Sequence, residues 1–148
     1  MKKILCICSF LFFSATTIFA NPVSTVNEKV AKIFKASFPE VKAPIWHTFD
    51  NYYEAYFKDD ENCASRIDYS FDGTLISTLL HYPGSKLPAF IRCKLTAKYK
   101  DKSIHGVAEL TTQTDHIYNI VLEDETYWYN VESDDAGNLR LASKFKKA

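Results

Sequence analysis

The chain has 148 residues, long enough to bury one sizeable core. Its 18 Lys and Arg balance 18 Asp and Glu, which excludes the basic field that draws a protein to nucleic acid or an anionic membrane. Hydrophobic residues make up 47% and aromatics 15%, so the composition is that of a globular protein with a lean toward sheet.

Residues 1–20 read as a signal peptide. Lys2-Lys3 form a basic start, and Ile4 to Phe13 form an apolar run too short to span a bilayer. Small residues follow, and Ala20 before Asn21-Pro22 marks the cut, with no cysteine there to carry a lipid. The expectation is a protein that is periplasmic or secreted and not membrane-embedded. Without Lys2 and Lys3, 16 basic residues face 18 acidic ones, a net charge of −2. Cys6 and Cys8 leave with the signal; Cys63 and Cys93 remain in a compartment that permits disulfides, and the placement of the two predicts that they stay unpaired.

Thr25-Val26-Asn27-Glu28 fits a capping box with Thr25 as N-cap. Val26, Val30, Ile33, Phe34 and Phe38 then recur at helical spacing up to Pro39. A short strand is expected around Ile45, Trp46 and Phe49, a strong one over Tyr52–Lys58, and a third over Ala64–Phe71. Asp72-Gly73 supplies the positive φ of a hairpin turn before a fourth strand, Leu75–Tyr82. Pro83-Gly84-Ser85 breaks the pattern. A second helix opens at Leu87-Pro88, with apolar positions Leu87, Phe90, Ile91, Leu95 and Tyr99. Four more strands are expected near Ile104–Leu110, Ile117–Glu123, Thr126–Glu132 and Leu139–Phe145.

Gly73 aligns with Gly137, Leu75 with Leu139 and Phe34 with Leu95, so the pattern reads as one unit written twice. The fold class expected is α+β. It comprises two tandem α-β4 repeats, about 24–82 and 87–146, inside one domain over 21–148. The two helices would pack on one face of an antiparallel sheet in a two-layer arrangement.

The Trp46 strand, Asn51-Tyr52-Tyr53-Glu54-Ala55-Tyr56-Phe57, the Asp72-Gly73 hairpin, the Leu87-Pro88-Ala89 helix start and the Asp134–Asn138 turn carry a resemblance. With these, the chain resembles the PepSY-like, β-lactamase-inhibitor-like family of exported proteins. Val107 stands where a second Trp would match Trp46, and Ser133 replaces an apolar residue. The resemblance implies the two-layer fold, export and no enzyme activity. It carries no inhibitory residue onto this chain.

Local chemistry is sparse. His47, His81, His105 and His116 have no short ligand spacing, and Asp59-Asp60-Glu61 and Glu123-Asp124-Glu125 lack the alternation of a calcium loop. No Gly-x-Ser-x-Gly elbow occurs, and Cys93 falls on the outer side of its helix. No catalytic residue, metal or cofactor is therefore expected. Strand alternation sends Tyr53, Ala55, Phe57, Ile67, Tyr69, Tyr118, Ile120, Leu122, Tyr129 and Val131 inward. It leaves Tyr52, Tyr56, Ile117, Val121 and Trp128 exposed on the opposite face, the candidate binding residues. Exposed aromatics among charges build recognition surfaces, while the same residues also pair across strands in any sheet. The expected function is a non-enzymatic binding module for an exported or cell-envelope protein, with a carrier of a small apolar ligand or peptide as the alternative.

Overall fold

The computed structural model describes residues 26–148, and the expected signal peptide lies outside the described residues. The elements run α1 (Glu28–Ser37), β1 (Ile45–Thr48), β2 (Tyr52–Lys58), β3 (Ala64–Ser70) and β4 (Leu75–Tyr82). A short 3₁₀ turn (Gly84–Lys86) then leads to α2 (Ala89–Lys98), β5 (Ser103–Thr112), β6 (His116–Glu123), β7 (Tyr127–Asp134) and β8 (Leu139–Lys146).

The strands form one eight-stranded antiparallel sheet in sequence order, β1 to β8. This corrects the expected fold class. The protein is mostly a continuous sheet with two helices, not two tandem α-β4 repeats with the helices packed on one face. The deciding feature is the β4–β5 ladder, which pairs Ser77 with Thr112 and continues to Tyr82 with Val107. The strands expected to end one unit and begin the next therefore bond to each other. An unpaired strand edge leaves backbone donors and acceptors open, and mutual pairing removes two such edges at once.

Each helix owns a separate cluster. Val30 and Phe34 of α1 bury against Ala55, Ile67 and Tyr69. Phe34 is the hub, with its ring 5.1 Å from Phe38, 5.3 Å from Trp46 and 5.7 Å from Phe57. Ile91 and Leu95 of α2, with Leu87 just before it, bury against Val107, Tyr118, Ile120, Leu122, Tyr129 and Val131. The inward alternation read from the strands is therefore realised at these core positions.

Local details differ from expectation in three places. The N-cap of α1 is Asn27, whose Oδ1 accepts from Lys29 N–H at 2.8 Å; Thr25 lies outside the described residues. Phe90 is 47% exposed rather than part of the buried stripe, because Leu87, Ile91 and Leu95 already fill the contact with the sheet. Phe71 is 42% exposed and packs on Tyr53, with ring centres 4.8 Å apart, instead of continuing the buried face of β3. The β3–β4 and β7–β8 turns hinge on glycine with positive φ, +94° at Gly73 and +72° at Gly137.

Candidate functional site

The sheet face opposite the buried strand residues Ala55, Ile67, Ile120 and Val131 carries the candidate binding residues. Register organises it into rows. One row runs Ile45, Tyr56, Arg66, Leu79, Leu110, Ile117 across six strands, β1 to β6. Tyr56 and Ile117 thus share a single apolar stripe that Arg66 interrupts.

All five candidates, Tyr52, Tyr56, Ile117, Val121 and Trp128, are half-buried rather than exposed. Neighbouring side chains cover Tyr52 and Trp128. Phe49 stacks on Tyr52, with ring centres 4.5 Å apart at 12°. His105 meets Trp128 edge-on at 4.7 Å, and the Lys147 ammonium lies 4.4 Å from the Trp128 ring centre. Lys147 also donates to Glu123 Oε2 at 2.6 Å, and that bond holds the Glu123 carboxyl below the usual carboxylate range.

The structure does not gather the five residues into one spot. Tyr52 and Tyr56 flank a polar group on β1 to β4, whereas Val121 and Trp128 lie toward β8. In the first group His47 Nδ1 lies 2.9 Å from Glu54 Oε1, and Arg66 Nη1 lies 3.7 Å from Glu54 Oε2. Glu54 is 8% exposed, so an outward-facing carboxylate is nonetheless buried among its neighbours. Ser77 Oγ donates to Asp68 Oδ2 at 2.6 Å, while Asp68 Oδ1 is buried without a hydrogen-bond partner.

Toward β8 the face sinks into a depression of 340 Å³ bordered by His81, Ala108, Asn119, Val121, Asn130 and Glu132. The short side chains of Ala108 and Ala142 are part of its lining. Nearby, Gly106 sits opposite Val121 in register, and a Cβ built on Gly106 would meet nothing within 4 Å. Sequence reasoning missed this hollow.

Beyond this face, a second charged constellation lies where β5 and β6 meet the β7–β8 turn. His116 bridges two carboxylates, Nε2 lying 2.7 Å from Glu109 Oε1 and Nδ1 lying 2.6 Å from Asp135 Oδ1. Tyr82 donates to Glu109, and burial followed by this carboxylate contact pushes its phenol well above the ordinary tyrosine range. A groove of 850 Å³ is lined by charged and aromatic side chains that include Lys100, Lys102, Glu125, Tyr127 and Lys144. Among the described residues no cluster of His, Cys, Asp or Glu is arranged to hold a metal, and no helix is long and apolar enough to cross a membrane. Cys63 and Cys93 are free thiols.

No family model and no curated protein matches the chain. Solved structures do. A BLIP-like protein from Bacteroides fragilis superposes with a TM-score of 0.61 at 14% identity, covering 83% of this chain and 86% of its own. A DUF2874 family protein from Bacteroides ovatus gives 0.59 at 17% identity, covering 82% and 88%. A protein from Bacteroides eggerthii, provisionally described as periplasmic, gives 0.58 at 15% identity, covering 82% and 89%. The chain has a BLIP-like fold. At these identities the likeness is one of fold, and the PepSY part of the expected resemblance finds no match.

Proposed function

We propose that this protein is a non-enzymatic binding module of the cell envelope or the exported fraction, acting on another protein through the free face of its sheet. The observation that carries this reading is the apolar row from Tyr56 to Ile117 in a fold shared with a BLIP-like protein. Leu79 and Leu110 fill the middle of that row, and Trp128 stands near the end of the face with His105 and Lys147 against its ring. Half-buried aromatic and aliphatic anchors with charged neighbours are what protein interfaces use for their central contacts. A β-lactamase-inhibitor-like role belongs to this reading through the fold and names no partner.

The alternative of a small apolar ligand is the weaker reading. Such ligands favour enclosed, mostly apolar pockets, whereas charged side chains line the 850 Å³ groove.

The test compares capture of exported proteins by the wild-type chain and by Tyr52→Ala, Tyr56→Ala and Trp128→Ala. Loss of capture with unchanged circular dichroism supports the face. Undiminished capture by all three folded variants overturns it.

A further inference from the structure

The sheet has two edges of unequal length. β1 spans 4 residues, while β8 spans 8. A long edge strand offers a row of unpaired backbone groups to any further strand. Which groups point outward follows from one bond: Lys147 N–H donates to Thr126 O at 2.8 Å, toward β7. Backbone groups alternate in direction along an antiparallel strand. Lys144 and Lys146, opposite Tyr129 and Tyr127, therefore turn their N–H and C=O groups to the free edge.

The side chains of this edge share one sign. Residues 139–148 contain Arg140, Lys144, Lys146 and Lys147 and no Asp or Glu. Arg140 pairs with Glu132, and Lys147 pairs with Glu123. Lys144 rests over an uncharged ring instead, 3.8 Å from the Tyr127 centre, and both Lys144 and Lys146 are exposed. Phe145, between them, is 54% exposed. A second β8 laid alongside with Lys144 opposite Lys146, or Arg140 opposite Lys144, would oppose like charges, which destabilises a sheet pair. Carboxylates on an incoming strand would meet complementary charge.

We propose that β8 is a docking edge for an extended acidic segment of another polypeptide, added as a further strand. Its carboxylates would lie beside Lys144 and Lys146, and an apolar side chain on its other face would lie against Phe145. Main-chain bonding supplies affinity in such strand addition, and alternate side chains supply selectivity. The outward backbone groups of Lys144 and Lys146 take no part in the row from Tyr56 to Ile117, so either reading can fail without the other.

The experiment titrates the isotope-labelled chain with a blocked octapeptide of alternating Glu and Val, and with its Lys-Val counterpart. Expected are amide shifts at Lys144 and Lys146 for the Glu-Val peptide, at least tenfold weaker binding of the Lys-Val peptide, and loss of binding at high salt. Lys144→Pro removes one outward donor at a position where an edge strand tolerates proline, and should abolish binding. If that variant is unfolded, the double variant Lys144→Glu with Lys146→Glu takes its place and should reverse the peptide preference. The proposal is overturned by an absence of shifts up to about 1 mM peptide. It is equally overturned by shifts confined to Val121 and Trp128, by equal binding of both peptides, or by dimerisation of the free chain through β8.

Discussion

Tyr56 on β2 and Ile117 on β6 occupy one register row, joined through Arg66, Leu79 and Leu110. A partner lying along that row would touch five strands at once, which places its energetic centre at Leu79 and Leu110. Leu110→Ser should therefore reduce partner capture more than tenfold, the consequence of losing ~2 kcal/mol at an interface anchor. Phe90→Ala, on the exposed side of α2, should leave capture unchanged. Equal capture by both variants would remove the row from the interface.

Phe34 and Leu95 lie in different clusters, yet the β4–β5 ladder makes one sheet of both halves. Phe34→Ala should cost ~3–5 kcal/mol and Leu95→Ala ~2–5 kcal/mol of unfolding free energy. Distant sites without shared partners add, so the double variant should lose their sum within about 0.5 kcal/mol. Denaturant unfolding followed by fluorescence and by circular dichroism should show one coincident transition. Two resolved transitions would mean that the ladder does not couple the halves.

Three glycines separate by their constraints. At Gly73 φ is +94° and a Cβ would lie 2.6 Å from Ile33 Cδ1; at Gly137 φ is +72° and Phe90 and Lys94 would lie 3.1 Å away. Gly73→Ala and Gly137→Ala should each cost ~1–2 kcal/mol or more, since L-residues resist the left-handed region. Gly106 has neither constraint, so Gly106→Ala should stabilise the strand by ~0.5–1 kcal/mol. Thermal melts of the three variants check the order.

Acid should loosen the β3–β4 hairpin. Bonds from Ser70 Oγ and from Thr74 N–H lower the Asp72 carboxyl to about 2. A depressed carboxyl contributes stability that is fully present above its unfolded value, about 3.9, and that is lost as pH falls through about 2. Hydrogen exchange at Ser70 to Thr74 should therefore accelerate between these limits before the core opens. Asp72→Asn should remove that pH dependence.

Much of the sheet was legible because burial repeats every second residue: Ala55, Ile67, Tyr69, Ile120, Leu122 and Val131 read directly as core. The register that joins β4 to β5 was not. Pairing across a connection that contains α2 leaves no mark on local periodicity, so a pattern written twice looked like two units. The face assignment of Tyr52 and Trp128 follows from alternation, but their half-burial depends on Phe49, His105 and Lys147 reaching over from other positions. The hollow beside Val121 needs Ala108 to fall opposite Asn119 and Val121 opposite Asn130, a coincidence of register that composition does not encode.

Because each strand bonds only to its neighbours in sequence, the sheet can assemble with low contact order, which favours rapid folding. Tight turns join β3 to β4, β5 to β6 and β6 to β7, but β4 reaches β5 only after the chain has passed through the 3₁₀ turn and α2. That closure carries the largest entropic cost in the meander and grows only slowly with length. The β4–β5 ladder is thus the natural last step, and a chain emerging N-terminus first can zip β1 to β4 before the second half exists to pair with it.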